Sequence, residues 1–267
     1  MSTNATQSLG EDYNGTIVWF IVNVTLTAVT ISGNLLTIAA IFFSRKLSSV
    51  VANQFIFSLA ISDLFVGLTI PYHMTFYTIN SEFGSSKTNC LLRFVLVSFA
   101  CSSSITNLLV IASDRYAAIV YPLHYARVVT RKCSVVVVMV AWSVSFAVAA
   151  MPVKWNEWRA GAECEFFNVV PDDYLNFVLC PMFALIWCAM LLLYSRICRE
   201  AKGQVERMRN GNGAQQFGLQ LRDSKSFQVM LTILGCFTVC WLPLPSNHHL
   251  LPAQSRLAGN PLLRDRI

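Results

Sequence analysis

The fold is decided by residues 90–122, which read CLLRFVLVSFACSSSITNLLVIASDRYAAIVYP. The segment begins with Cys90, continues almost wholly apolar, and then reaches the triplet Asp114-Arg115-Tyr116. In an α-helix, Cys90 and Arg115 would lie about 37 Å apart, which is the thickness of a bilayer with its interfaces. The segment therefore predicts one long helix that holds a thiol on one side of a membrane and an arginine on the other.

The composition of the whole chain is that of a membrane protein. Hydrophobic residues make up 55% of the sequence and charged residues only 13%, whereas soluble domains carry about 25% charged residues. Apolar runs of about 20 residues, the length that a spanning helix needs, recur along the chain. We predict an all-α bundle with transmembrane spans at 17–43, 53–78, 89–120, 133–153, 174–200 and 224–246, preceded by an N-terminus at 1–16 and followed by a polar tail at 247–267.

The charges of the connecting segments predict the orientation. Lysine and arginine are concentrated in segments 44–52, 121–132 and 196–225 and are scarce on the opposite side. By the positive-inside rule the N-terminus is extracellular, so its sequon residues Asn4 and Asn14 are predicted glycosylation sites. The net charge of +6 thus reflects topology and does not indicate nucleic-acid binding.

The cysteines and one buried acid are candidate functional residues. The nine cysteines fit no metal-binding spacing, and most are expected to fill space within spans. Cys90 and Cys164 differ, because both lie on the predicted extracellular side, where a disulfide is stable. Asp63 is a lone carboxylate at mid-membrane depth, which favours a functional role over a purely structural polar contact.

Short motifs occur one per span in a fixed order. They are Gly33-Asn34, Leu59-Ala60 with Asp63, Cys90, Asp114-Arg115-Tyr116, Trp142, Cys164, and Phe237 with Cys240, Trp241 and Pro243. Because its motifs occur in this order, the sequence resembles the rhodopsin-like (class A) family of G-protein-coupled receptors, from residue 15 to about residue 244.

The resemblance implies roles for residues at the two ends of the bundle. In that family the counterpart of Cys90 pairs with a loop cysteine, here Cys164. The residues implied in the switch and in G-protein coupling are Asp114, Arg115, Tyr116, Tyr194 and Asp223. Asp223 matches the acid that holds the family's arginine at rest; the alternative is a solvated surface acid. Activation would swing span six outward and free the arginine for a heterotrimeric G protein.

The resemblance also implies an activation core in the middle of the bundle. Its members would be Asp63, Ser104, Ile105, Phe237, Trp241 and Pro243. Asp63 and Ser104 resemble half of the family's pocket for an allosteric sodium ion, and no other cofactor is expected. The chain departs from the family pattern in span five, where Ile186 stands in place of a proline and Pro181 lies five residues earlier.

The ligand class is indicated by span three and by the loop after Cys164. Amine receptors have an aspartate where this chain has Val97, so an amine ligand would lack its counterion. The loop resembles that of adenosine receptors, in which an aromatic residue stacks on the purine, although Phe167 replaces their usual acid. The implied pocket residues are Val97, Ser98, Cys101, Phe166 and Trp241. A peptide, a lipid or another small molecule is the alternative ligand, and Phe166 packing on the bundle is the alternative role.

The sequence changes character after Leu244. The following residues are polar, and Arg264 stands where the family's seventh helix has a tyrosine. The expectation is a truncated or misjoined form of a receptor that lacks its seventh helix and signals poorly. Such a form would be retained in the endoplasmic reticulum or would pair with complete receptors.

Two other classes of protein are alternatives to a cell-membrane receptor. A six-span transporter or channel is the main alternative, but the sequence has no inverted repeat and no periodic intramembrane arginine. An intramembrane enzyme would need paired acids, a His-Glu metal site or an activated nucleophile, none of which is evident. The predicted partners are therefore an extracellular small molecule, a heterotrimeric G protein and membrane lipid.

Overall fold

The computed structural model describes residues 2–78, 86–161 and 164–209, and all the structure in these ranges is helical or irregular. The helices are α1 (Ser2–Phe43), α2 (Arg45–Ser48), α3 (Ala52–Thr78), α4 (Lys87–Val120), α5 (Pro122–Val128), α6 (Arg131–Lys154), α7 (Phe166–Val169), α8 (Asp172–Tyr174) and α9 (Cys180–Arg209). Within these described ranges, five segments are long and apolar enough to cross a membrane, namely Thr16–Phe43, Ala52–Phe76, Lys87–Val120, Arg131–Lys154 and Asp172–Glu200. The predicted all-α membrane class is confirmed.

Local signals explain where the helices begin and end. The Ser44 hydroxyl accepts a hydrogen bond from the Leu47 amide and caps α2, and the Thr130 hydroxyl does the same for the Cys133 amide at the start of α6. Pro122 begins α5 directly after α4 ends, because its fixed φ suits a first helical position and it has no N–H to leave unpaired.

Span five, where the sequence departs from the family pattern, begins with an irregular turn. A π-helical turn, Leu175–Leu179, precedes Cys180 and Pro181, and α9 then continues to Arg209. π-Helical turns occur inside helices where an extra residue is accommodated. The predicted sixth span at 224–246 and the tail at 247–267 lie outside the described residues, and so do the side chains of Asn4 and Asn14.

Helix α4 lies at the centre of the described bundle and packs against both α3 and α6, while α1 packs against α3. The α1–α3 contact is close at Gly67, where a Cβ atom would lie 2.9 Å from Ile31 Cγ1 and 3.3 Å from Thr30 Cγ2. Glycine allows this approach because it has no side chain, as is usual where transmembrane helices pack tightly.

Buried polar side chains join α3, α4 and α6. The Ser58 hydroxyl donates to Asn107 Oδ1 at 2.8 Å and accepts from Trp142 Nε1 at 2.9 Å. Asn107 Nδ2 also donates to the Ser103 carbonyl at 2.8 Å. Ser58 and Asn107 are buried. Each of these polar groups thus has a partner at a depth where water is not available.

Candidate ligand and G-protein sites

A disulfide ties the start of α4 to the loop that follows α6. Cys90 and Cys164 are bonded, with their Cα atoms 5.8 Å apart. The predicted disulfide is therefore confirmed. The disulfide holds the segment that carries Phe166 beside the N-terminal end of α4.

The loop segment is also packed into a buried cluster, which we call the outer cluster. Its buried members are Cys90, Leu91, Phe94, Val169, Val170, Tyr174 and Leu175. Tyr174 is fully buried and donates from its hydroxyl to the Val148 carbonyl of α6 at 3.0 Å. Sequence reasoning assigned no role to this cluster, although the apolar pairs Leu91-Leu92 and Val169-Val170 beside the cysteines were a visible signal.

Arg93 is a buried cation beside the outer cluster, only 4% exposed. Its Nε donates to His73 Nδ1 at 2.9 Å, and its Nη1 donates to the Cys164 carbonyl at 3.2 Å. Its guanidinium lies 4.6 Å from the centre of the Phe76 ring, a cation–π distance. Arg93 thus joins α3, α4 and the disulfide loop, a role that sequence reasoning missed.

Two predicted pocket residues, Val97 and Cys101, share one stripe along α4 with Phe94 and with Ser104 of the predicted activation core. Phe94, Val97, Cys101 and Ser104 recur at intervals of three and four residues, which places them on one face of the helix. Phe94 is buried, while the other three residues of the stripe, and Ser98 next to it, are partly exposed. Phe166 packs edge-to-face against Phe94, with ring centres 5.4 Å apart. The packing alternative for Phe166 is therefore compatible with the structure, and Trp241 lies outside the described residues.

The stripe ends at Asp63, a partly buried acid of α3. Ser104 Oγ donates to Asp63 Oδ1 at 2.6 Å, so the two residues predicted to form half of a sodium pocket are in contact. Carboxylate and hydroxyl oxygens are suitable ligands for a hard cation. Ile105, the next residue of the predicted activation core, is fully buried. Phe237 and Pro243 lie in the part of the chain that is not described.

At the other end of α4, an ion pair holds Arg115. Its Nη2 and Nε donate to Asp114 Oδ2 at 2.7 and 3.1 Å. The Tyr125 hydroxyl of α5 donates to the second carboxylate oxygen of Asp114 at 2.7 Å. Asp114 is buried, whereas 35% of the Arg115 side chain is exposed. Arg115 is thus held by its neighbour and remains accessible.

Tyr125 is the site residue at this end that sequence reasoning missed. Its burial, together with its hydrogen bond to Asp114 and the charge of that carboxylate, raises the pKa of its phenol to about 12. The predicted residue Tyr116 packs edge-to-face on Tyr121, and Tyr194 is buried in α9. Asp223, the predicted second partner of Arg115, lies outside the described residues.

Helix α4 thus carries a disulfide at one end, a polar contact in its middle and an arginine held by an aspartate at its other end. The sequence profile of the 7 transmembrane receptor (rhodopsin family) matches residues 33–254. The chain therefore belongs to the rhodopsin family of seven-transmembrane receptors. This is a class of receptors and not of enzymes, so both the enzyme and the transporter alternatives are set aside.

Curated relatives include receptors with different ligands. The chain is 33% identical to adenosine receptor A2a of Equus caballus over an alignment of 251 positions that covers 86% of this chain and 60% of that receptor. It is 31% identical to adenosine receptor A2b of Gallus gallus over an alignment of 255 positions that covers 85% of this chain and 72% of the relative. It is 28% identical to the histamine H2 receptor of Canis lupus familiaris over 226 residues, 82% of this chain and 62% of the relative. The chain thus spans between 60% and 72% of the length of these relatives.

Proposed function

We propose that this chain binds an extracellular small molecule at the outer end of the α4 stripe and transmits the binding to a heterotrimeric G protein. The observation that carries the proposal is the arrangement of Asp114, Arg115 and Tyr125. A charge-assisted pair of this kind is a low-energy closed state, because it keeps the guanidinium in contact with a buried carboxylate. Opening the pair exposes a cation to a partner on the same side of the membrane.

In the proposed mechanism, span six swings outward about Pro243 and Asp223 releases Arg115. Such a switch needs two discrete arrangements of one element, which a hinged helix provides. Ligand binding favours the open arrangement only to the extent that the ligand binds it more tightly than the closed one.

The proposed test measures nucleotide exchange on a purified G protein with the receptor reconstituted in vesicles. Arg115→Ala is expected to abolish receptor-dependent exchange and to leave ligand affinity unchanged. Arg127→Ala, which removes another exposed cation of the same end, is the matched control and is expected to retain exchange. Exchange that survives in Arg115→Ala would refute the coupling role.

For the ligand we propose an adenosine-like molecule. In support, α4 has no carboxylate in its outer half that could neutralise an amine, and Val97 lies on the stripe instead. Phe166 offers an aromatic surface at the outer end of the same stripe, where a purine could stack. Two of the relatives named above are adenosine receptors, and a third is a histamine receptor, so the experiment must include both ligands.

Two adjacent phenylalanines allow a matched test of this ligand assignment. Phe166→Ala is expected to weaken adenosine binding at least about fivefold, since stacking on an aromatic residue contributes about 1–3 kcal/mol per base. Phe167→Ala, which removes a neighbouring ring that is 44% exposed, is expected to have little effect. Saturation binding with labelled adenosine measures both. Equal losses in the two variants, or tight binding of histamine instead, would contradict the assignment.

We also propose that a sodium ion binds at Asp63 and Ser104 as an allosteric ligand. The ion would be held by the Asp63 carboxylate and the Ser104 hydroxyl, and it would neutralise a charge at mid-membrane depth. Replacing potassium with sodium at constant ionic strength is expected to raise the melting temperature of the wild type and not that of Asp63→Asn. An equal sodium response in both proteins would exclude the site.

The proposed location is the cell membrane, with the N-terminus outside. Glycosidase-sensitive modification of Asn4 and Asn14 on intact cells would support this orientation. Surface biotinylation in the same cells distinguishes delivery to the cell surface from retention in the endoplasmic reticulum, and cross-linking there tests pairing between receptor copies. Biotinylation of residues 44–52 on intact cells, without biotinylation of the N-terminus, would show that the orientation is the opposite of the proposed one.

A further inference from the structure

A cavity of about 550 Å³ lies between α1, α3 and α6, at the end of the bundle that carries α2. Its size falls within the range of about 300–1,000 Å³ that is typical of ligand clefts. Apolar side chains form most of its wall, namely Phe42, Phe57, Ile61, Val138, Met139 and Trp142. We call it the inner groove. Of the buried polar network described above, Ser58 and Trp142 also line the groove, whereas the predicted ligand-pocket and switch residues do not.

Polar groups line one end of the inner groove. Arg131 is exposed there and donates from Nη2 to the Ser48 carbonyl at 3.0 Å. This bond uses one of the five N–H donors of a guanidinium. Asn53 Nδ2 donates to the Leu47 carbonyl at 2.7 Å, and the Ser134 hydroxyl donates to Gln54 Oε1. The groove is therefore amphipathic, with an apolar body and a polar end that carries a cation.

The charged residues of the two segments that border this end are all basic. Segments 44–56 and 121–134 contain no aspartate or glutamate. Their basic residues are Arg45, Lys46, Arg127, Arg131 and Lys132. The end of the groove also lies at the N-terminus of α6, where the backbone N–H groups of a helix favour an anion. An occupant that carries an anionic group next to an apolar chain would match both parts of the groove.

We propose that the inner groove binds one anionic glycerophospholipid of the phosphatidylserine type. An acyl chain lies against Phe57, Val138 and Met139, and the headgroup is bound by Arg131. A second copy of this chain fits less well, because it would bring the same cations to the contact. The proposal rests on the proposed orientation, which puts the polar end of the groove at the cytoplasmic leaflet, where anionic lipids are concentrated.

Photocross-linking tests the proposal on the full chain in phosphatidylcholine vesicles. The probe is phosphatidylserine with a diazirine in one acyl chain, and the control probe is phosphatidylcholine with the same chain. We expect the serine lipid to label α3 and α6 at the groove, with labelled residues identified by mass spectrometry. Unlabelled phosphatidylserine is expected to compete, whereas unlabelled phosphatidylcholine is not.

Variants identify the residue that binds the headgroup. Arg131→Gln is expected to reduce labelling about fivefold, since a basic residue near an anionic surface contributes about 1 kcal/mol. Arg127→Gln is the matched control, because it removes an exposed cation of the same end that does not line the groove. Met139→Trp leaves every cation in place and fills the groove, so it is expected to abolish labelling even if Arg131→Gln destabilises the fold.

Four results would overturn the proposal. They are equal labelling by the two probes, equal losses in the Arg131 and Arg127 variants, labelling that survives Met139→Trp, and displacement of the probe by a sterol but not by phosphatidylserine. Labelling is measured without a receptor ligand or a G protein. A negative result here therefore leaves the proposed receptor function untouched, and loss of signalling would leave the lipid site untouched.

Discussion

Replacing Ser58 by alanine tests whether the buried hydrogen-bond network joins the central helices. The substitution removes the bond from Ser58 to Asn107 and the bond from Trp142 to Ser58. The buried amide oxygen of Asn107 and the partly buried indole N–H of Trp142 then lose their partner at once. Side-chain hydrogen bonds between transmembrane helices contribute about 0.6 kcal/mol on average and at most about 1.7 kcal/mol. We therefore expect a loss of about 1–3 kcal/mol in the free energy of unfolding.

Thermal unfolding in detergent measures this loss. For a chain of this size, each kcal/mol shifts the melting temperature by about 2–4 °C, so Ser58→Ala is expected to lower it by about 2–12 °C. Ser143→Ala is the matched control, since the Ser143 hydroxyl is exposed and donates only to the Met139 carbonyl of its own helix. Its expected effect is within about 0.5 kcal/mol.

A double-mutant cycle separates the network from a general packing effect. Ser58→Ala and Asn107→Leu are combined, and their interaction energy is expected to exceed about 0.5 kcal/mol, as for residues in one network. Additive losses, or a Ser58→Ala effect no larger than that of Ser143→Ala, would refute the reasoning.

Three further predictions concern other contacts. Gly67→Ala is expected to destabilise the bundle by about 1–2 kcal/mol, because the cost of overpacking against the stiff side chain of Ile31 exceeds the gain in helix propensity. Gly33 has open space around it, so Gly33→Ala should be neutral or stabilising in the same thermal unfolding experiment. A larger loss of stability in Gly33→Ala than in Gly67→Ala would contradict the packing. Because the pKa of Tyr125 is raised to about 12 from its ordinary value of 10, its stabilising contribution is present below pH 10 and lost as the pH rises towards 12. Tyr125→Phe should lack that alkaline loss, and identical pH profiles of the two proteins would exclude it. Arg93→Lys should speed hydrogen exchange of backbone amides in segment 164–171, because lysine lacks the forked guanidinium that bonds to His73 and to the Cys164 carbonyl together. Unchanged exchange in this segment would count against the role of Arg93 in joining the loop to the helices.

The membrane class and the outline of the bundle were predictable from the sequence for a simple reason. A helix that spans lipid needs a long uncharged run of residues, because all its backbone groups must pair within the helix. Such runs can be recognised directly in the sequence. The disulfide was predictable because Cys90 and Cys164 both lie on the predicted extracellular side, where a disulfide is stable, and because the family resemblance pairs them. These inferences need only the order of residues along the chain.

The roles of Arg93 and Tyr125 could not be predicted in this way. Arg93 is buried because His73 and Cys164, which lie 20 and 71 residues away in the sequence, are next to it in space. Tyr125 reaches Asp114 only because Pro122 begins a new helix that turns back under α4. Such contacts depend on how the chain direction changes between helices, and hydropathy carries no information about that.

The outer cluster has a consequence for how a ligand would associate. Val169 and Val170 are each only 2% exposed, so the loop that carries Phe166 belongs to the hydrophobic core and not to the mobile surface. A pre-organised lid of this kind spares an arriving molecule the entropic cost of ordering a loop, which amounts to about 0.5–1.5 kcal/mol for each immobilised side chain. Differences in affinity between related ligands would then arise mainly from how long each one stays bound.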